Sequence, residues 1–385
     1  MPAFGGSQAA EEVAPFPVAA EGGLLLVMAA ERDATNWKPT AVEVRAPARL
    51  HLGMLSFGSP AMRSFGGVGV MVDRPAVQVR LRRSDAFRAR GPLAERTLEF
   101  AQACMQSWSL PPQSACEIDV LATPRSHVGL GSGTQLALAV AAGMQHLFRD
   151  RANEAPHEFE VHPTDDEWLF DTPDALELAR AVGRGRRSCV GVYGFSRGGL
   201  IVEAGRHVPA GGDPPGKRSF SPMVARVRLP STWRCLVIVQ RDSIGLHGEP
   251  EKAAFAALPP VPQEIAAELA RLALMELLPA AVEADFAAFS EAVYRYGRLA
   301  GKPFEQASAT LPHAASTEQL IELLRELGVA GAAQSSWGPA VMACCESLDA
   351  AGELVEKLDT LGLSKQYETI IARYDAQGAV LRVIE

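Results

Sequence analysis

The sequence predicts an α+β fold divided into two domains, and three observations carry that expectation. The first part of the chain after residue 40 consists of β-rich runs in which apolar and polar residues alternate. A strand, a glycine-rich turn and a small-residue helix then follow one another directly. After Ser231 long helical periodicities are interleaved with short apolar runs of strand length. Length agrees with the division, since 385 residues with 48% hydrophobic and 21% charged content supply an ample core and exceed one average domain. Three segments are expected: an arm at 1–40, an N-terminal domain at 41–230 and a C-terminal α+β domain at 231–385.

Residues 1–40 are rich in Ala, Gly and Glu without sustained periodicity, which predicts a poorly ordered arm. Strands are predicted at Ala41 to Gly53, Gly67 to Asp73 and Ala76 to Arg83, followed by a helix at Leu93 to Ser107 and a strand at Ala115 to Leu121. The glycine turn leads into a buried helix at Thr134 to Leu147. A polar loop at Arg151 to Asp171, a helix at Pro173 to Val182, and strands at Gly199 to Glu203 and Val224 to Leu229 separated by a Gly/Pro-rich loop come next. The second domain is expected to hold a strand at Cys235 to Gln240 and helices at Gln263 to Leu278, Ala281 to Leu299 and Thr317 to Leu327. Strands at Val341 to Cys344, Gln366 to Ile371 and Val380 to Ile384 around a helix at Asp349 to Leu361 finish it.

A net charge of −8 provides no global basic field, so nucleic acid and anionic membranes are not expected partners, and any phosphate site must be local. The six cysteines are scattered, with no C-x-x-C pair and no zinc-ligand spacing. They read as reduced thiols of a cytoplasmic protein. The apolar run Gly23 to Ala30 is too short to span a bilayer and follows Glu11, Glu12 and Glu21 rather than a basic stretch, so neither a signal peptide nor a membrane anchor is expected.

The strongest chemical signal is Pro124-Arg-Ser-His-Val-Gly-Leu-Gly-Ser-Gly-Thr-Gln135. Gly129, Gly131 and Gly133 let backbone approach a ligand, and the helix that follows presents unpaired N–H groups to an anion. His127, Gly129, Gly131, Ser132, Gly133, Thr134 and Gln135 are therefore the expected phosphate-binding residues, with Ser132 or Thr134 alternatively serving as a helix cap. The segment is neither a Walker loop nor a dinucleotide fingerprint. A second basic feature is Gly183-Arg-Gly-Arg-Arg187, whose three guanidiniums suit phosphate or carboxylate oxygens.

Pro124 to Gly133 resembles the P-x-x-x-G-L-G-S-[SG] phosphate loop of the GHMP kinase superfamily. Arg45-Ala-Pro-Ala-Arg-Leu-His-Leu-Gly53 is similar to the first motif of that superfamily, and Gly328 to Ala340 falls where its third, glycine-rich motif would lie. The resemblance spans roughly residues 41 to 385. It implies an N-terminal ribosomal-protein-S5-like domain and a C-terminal ferredoxin-like domain. One departure matters: against the S-G-I-D-N-A-V-S-T-W-G-G stretch of mevalonate-kinase-type members, Ser188 to Gly199 puts Gly191 where their catalytic aspartate stands.

The combination of Arg49 to Gly53, His127 to Ala137, Gly183 to Ser188, Gly198 to Val202, Gly245 to Glu249 and Gln334 to Pro339 is similar to the β-ribofuranosylaminobenzene 5′-phosphate synthase branch of the superfamily, which serves tetrahydromethanopterin biosynthesis. That resemblance implies condensation of phosphoribosyl pyrophosphate with 4-aminobenzoate or 4-hydroxybenzoate, releasing carbon dioxide and pyrophosphate. An ATP-dependent kinase, or a non-catalytic phosphate-ligand sensor on the same fold, are the alternatives. Mg2+ is expected with the pyrophosphate, and no organic cofactor. Arg49, His51, His247 and Glu249 are the expected catalytic residues, Glu249 also being the expected metal ligand. Arg184, Arg186, Arg187, Ser188, Ser335 and Ser336 are expected to bind substrate. A homodimer is the expected assembly.

Overall fold

A computed structural model describes residues 40–59, 63–148, 173–207, 220–305, 311 and 313–384. The expected arm, the polar loop at 151–171 and nearly all of the 207–217 loop lie outside the described residues.

The first sheet is built on two long strands, β1 (Ala41–Met54) and β2 (Gly67–Ser84), paired antiparallel along most of their length. The sequence pattern separates β2 into two runs around Pro75, yet the chain continues through it as one strand. A short β3 (Arg88–Arg90) leads to α1 (Ala94–Ser107) and β4 (Ala115–Ala122), and α2 (Ser132–Phe148) follows the glycine turn. Helices α3 (Pro173–Ala181) and α4 (Val190–Arg197) precede β5 (Leu200–Glu203) and β6 (Met223–Val227), which extend the sheet beside the first half of β2.

The second sheet is antiparallel in the order β10-β7-β9-β8, from β7 (Arg234–Gln240), β8 (Ala332–Gln334), β9 (Ala340–Cys345) and β10 (Tyr367–Arg373). Between β7 and β8 lie α5 (Gly248–Ala256), α6 (Gln263–Leu272), a π turn at Ala273–Leu277, α7 (Leu278–Val282), α8 (Phe286–Gly301) and α9 (Ala314–Glu326). Helix α10 (Leu348–Thr360) joins β9 to β10.

The final strand, β11 (Val380–Ile384), departs from the expected boundary. It pairs antiparallel with β1, from Ala41 against Ile384 to Arg45 against Val380, and so belongs to the first sheet rather than to the domain assigned to 231–385. Its apolar pattern fits either sheet edge, and the unpaired outer edge of β1 decides the matter.

Burial follows from this layering. Leu136, Leu138, Val140 and Met144 of α2 pack with Val42, Val44 and Leu81 of the sheet and with α1, α3 and α4, so α2 is buried on nearly every side. Its small residues permit that approach: a Cβ on Gly143 would lie 2.5 Å from Leu81 Cδ1. A second core joins Leu50, Val68 and Val70 of the first sheet to Val237, Met342 and Phe289 of the C-terminal half. The seam between the halves carries the glycine loop.

Candidate active site

The glycine loop and the turn after β8 hold each other by backbone contacts. Ala340 N–H donates to Val128 O at 3.0 Å, and Arg49 N–H donates to Leu130 O at 3.0 Å. Two glycines make the approach possible. Gly129 has φ +97 and a Cβ there would stand 2.3 Å from Ser335 O, while a Cβ on Gly338 would stand 2.2 Å from Val128. Arg125 fastens the loop to the second sheet by donating to the carbonyls of Gln240, at 2.5 Å, and Arg241.

This packing sorts the expected residues into struts and site-facing groups. Ser335 is 1% exposed; its hydroxyl donates to Gly129 O at 2.7 Å and accepts from His51 N–H at 2.9 Å. Gln135 is fully buried and donates through Nε2 to Gly191 O at 2.8 Å. Neither is placed as a ligand: small or polar residues beside glycines serve equally well as braces, and here burial commits them to that role. Ser188 is likewise engaged at the start of α4, accepting from Val190 N–H at 3.2 Å. Ser132 is buried at the head of α2. The N–H groups of Ser132 and Gly133 have no backbone acceptor among the described residues, whereas those of Thr134 and Gln135 reach Gly131 O.

Arg49 and His51 share one strand face but not one environment. Arg49 lies beside Gly131 and donates through Nη1 to Ser336 Oγ at 2.9 Å. Burial lowers its guanidinium to about 10, opposed by the carboxylates of Glu203 and Glu251. His51 is 3% exposed, with Nε2 unpartnered near Gly67. Burial, then Arg49, hold its imidazole well below the ordinary value, so it stays neutral. Its backbone does the visible work, as Ser336 N–H donates to His51 O at 2.9 Å. The expectation that both side chains meet substrate is corrected for His51, which the adjoining turn covers.

His127 and His247 meet although 120 residues apart in sequence, their rings stacked with centroids 4.0 Å apart and planes 21° apart. Gly245 N–H donates to His127 O at 2.7 Å, and His247 Nδ1 lies 3.1 Å from Gly245 O, which fixes the proton on Nδ1. Burial first, then His247 and Arg96, lower the His127 imidazole, with Glu251 opposing.

Glu249 is also corrected. The expected turn is the start of α5, and at about 100° per residue Glu249 and Glu251 point to different sides. Glu249 stands in solvent paired with Lys252 at 2.6 Å, whereas Glu251 bonds Arg187 at 2.6 Å and its charge reaches Arg49 and His127. Among the described residues no group of three His, Cys, Asp or Glu side chains is arranged to hold a metal ion.

The arginine block divides. Arg187 lies over the Phe255 ring at 4.9 Å, Arg186 is exposed and donates to Gly183 O at 3.3 Å, and Arg184 lies over Phe100 at 4.9 Å. Two residues that sequence reasoning passed over join the site. Arg96, on α1, places its guanidinium against Gly133, where a Cβ would be 3.3 Å from Nη2. Glu203, fully buried on β5, accepts from Cys189 N–H at 2.8 Å at the head of α4. Burial raises its carboxyl to about 7 against the pull of Ser188, Cys189 and Ser221. The one signal in sequence for Glu203 is an acid closing the apolar run Leu200-Ile-Val-Glu203.

Gly191 sits within this cluster. A Cβ there would be 3.3 Å from Gln135 Nε2, 3.6 Å from the Thr134 methyl and 3.9 Å from Arg49 Cγ. A side chain at that position would thus point at Arg49 and the head of α2.

Residues 277–362 match the family model described as GHMP kinases C terminal. The chain is 30% identical over 359 residues to a β-ribofuranosylphenol 5′-phosphate synthase of Archaeoglobus fulgidus, covering 89% of this chain and 100% of that protein. A protein of the same name from Methanothermobacter thermautotrophicus is 30% identical over 312 residues, 77% of this chain and 87% of the other. Among solved structures, homoserine kinase from Cytophaga hutchinsonii superposes with TM-score 0.57 at 16% identity, over 92% of this chain and 100% of that one. Mevalonate pyrophosphate decarboxylase from Streptococcus pyogenes gives TM-score 0.59 at 13% identity, over 88% and 98%. These two likenesses establish the GHMP kinase fold.

Proposed function

The chain belongs to the β-ribofuranosylphenol 5′-phosphate synthase family, and on that premise we propose that it joins the ribosyl carbon of phosphoribosyl pyrophosphate to the carboxylate-bearing carbon of a 4-substituted benzoate. The phenol in the relatives' name favours 4-hydroxybenzoate over 4-aminobenzoate as acceptor.

The observation that carries the proposal is Gly191, a bare Cα where a side chain would face Arg49 and the head of α2. A kinase of the mevalonate-kinase type carries its base there, and this reaction needs none. The bond between the anomeric carbon and the diphosphate breaks, the diphosphate leaving with the electron pair. The ring carbon bearing the carboxylate attacks the resulting cationic centre and forms the carbon-carbon bond. Carbon dioxide then departs, returning its bonding electrons to the ring. No proton is gained or lost in the sum.

The chain's own groups suit those steps. The free amides of Ser132 and Gly133 supply donors for a diphosphate at the head of α2. Arg49, oriented by Ser336, supplies a guanidinium for an anionic substrate group beside the loop. Mg2+, when present, would be held chiefly by the diphosphate oxygens and would neutralise the leaving charge.

Purified protein incubated with phosphoribosyl pyrophosphate, Mg2+ and carboxyl-labelled 4-hydroxybenzoate or 4-aminobenzoate should release labelled carbon dioxide and pyrophosphate in equal amounts. Release from neither benzoate, with ATP turnover on an alcohol instead, refutes the proposal. Omission of Mg2+ should slow the reaction.

A further inference from the structure

Three guanidiniums from two separate parts of the chain lie close enough to act on one another, and one of them, Arg96, rests on Gly133 at the head of α2. Arg96 and Arg184 share one ring, lying 5.8 Å and 4.9 Å from the centroid of Phe100. Arg186 is close enough to add to the positive field at Arg184. Like charges gathered this way repel, and among the described residues no carboxylate pairs with Arg96 or Arg184. Arg184 Nε is buried and has no hydrogen-bond partner among the described residues. Burial first, and then Arg96 and Arg186, bring the Arg184 guanidinium down to about 10. An anion between them would relieve the repulsion.

The place of that anion is set by Gly133. The Arg96 guanidinium rests on it, with Nη2, Cζ and Nη1 at 3.3, 3.5 and 3.6 Å from the position a Cβ would take. Any larger residue at 133 would push Arg96 away from the free amides of Ser132 and Gly133. The same glycine thus admits a ligand on its N–H side and a guanidinium on its Cα side.

We propose that Arg96, together with Arg184, clamps the diphosphate of the phosphoribosyl substrate at the head of α2, and that Arg96 is the residue that makes this site selective for a diphosphate over a lone sugar phosphate. The inference rests on the synthase reading for the identity of the substrate, but the clamp itself is an anion site that can be measured without turnover.

The test is calorimetric titration of inorganic pyrophosphate, and separately of ribose 5-phosphate, into wild type, Arg96→Ala and Arg96→Lys, with melting temperature as the check on folding. Pyrophosphate affinity should fall about 10- to 100-fold in Arg96→Ala, with Arg96→Lys in between because it keeps the charge and loses the fork. Ribose 5-phosphate affinity should be unchanged, and in turnover the KM for phosphoribosyl pyrophosphate should rise while that for the benzoate stays fixed. Should Arg96→Ala fail to fold, Arg96→Gln takes its place with the same expected loss. Wild-type protein that does not bind pyrophosphate, an Arg96 variant that binds it undiminished, or a loss confined to ribose 5-phosphate each overturns the inference. Loss of pyrophosphate binding in Arg96→Ala of a protein that makes no riboside would leave the clamp standing and sink the synthase reading. An active synthase indifferent to Arg96→Ala would do the reverse.

Discussion

Replacing Glu203 by Gln should stabilise the protein above neutral pH and do little below pH 4.5. The carboxyl is fully buried, and burial holds it at about 7 in the fold against an ordinary 4.5. Below the lower value both folded and unfolded chains carry it protonated and neither is penalised. Between the two values the unfolded chain ionises while the fold does not, so stability drains away as pH rises; above about 7 the loss is complete. At about 1.4 kcal/mol per pH unit of separation the full loss is ~3 kcal/mol. Glutamine keeps the acceptor for Cys189 N–H but removes the charge that helps to neutralise Arg49, which reduces the expected gain to ~1–3 kcal/mol at pH 8. Urea unfolding midpoints of the two proteins, taken at matched slopes from pH 5 to pH 8, measure the gap. It should widen by ~2–3 kcal/mol over that range, mostly before pH 7. A gap that does not change with pH, or one that widens as pH falls, refutes the assignment of a neutral buried acid.

Gly129→Ala should lower stability by ~2–4 kcal/mol, read as a fall in melting temperature, because its φ of +97 and the 2.3 Å approach to Ser335 O leave no room for a methyl. Ser336→Ala removes the partner that orients Arg49, and kcat/KM should fall about 3- to 10-fold with little change in stability. Gly191→Asp would turn a carboxylate toward Arg49 and the diphosphate, so the KM for phosphoribosyl pyrophosphate should rise at least about tenfold, without ATP-dependent phosphorylation appearing; an unchanged KM counts against the placement of the diphosphate.

Much of the site's first layer was legible because it is local. Strand β4, the glycine turn and α2 are contiguous, and a turn that must expose amides announces itself by its glycines. What sequence could not show is which polar residues of that turn face outward. Gln135 and Ser335 have the chemistry of ligands and the burial of braces, and only the docking of 335–338 on 127–131 separates the two. Arg96 carries no local mark at all, since its role depends on α1 crossing the head of α2. Helix α4 was missed because Gly191 and Gly194 argue against a helix; packing overrules them, a Cβ on Gly194 coming within 2.2 Å of Met71 Sδ. Helix α5 was missed for Gly248 and Pro250 in its first turn, where a proline is in fact tolerated. The fold class survived these misses because the long periodic segments are the ones that build the layers.

The pairing of β11 with β1 has a consequence for how the protein is made. Strand β1 emerges from the ribosome roughly 340 residues ahead of the partner that covers its outer edge, a delay on the order of 20–70 s at about 5–20 residues per second. Throughout that interval the outer edge of β1 from Ala41 to Arg45 offers unpaired amides and carbonyls to any neighbouring nascent chain. Assembly of the first domain therefore cannot be concluded before the second has been translated, and until then that edge stays open to misassociation.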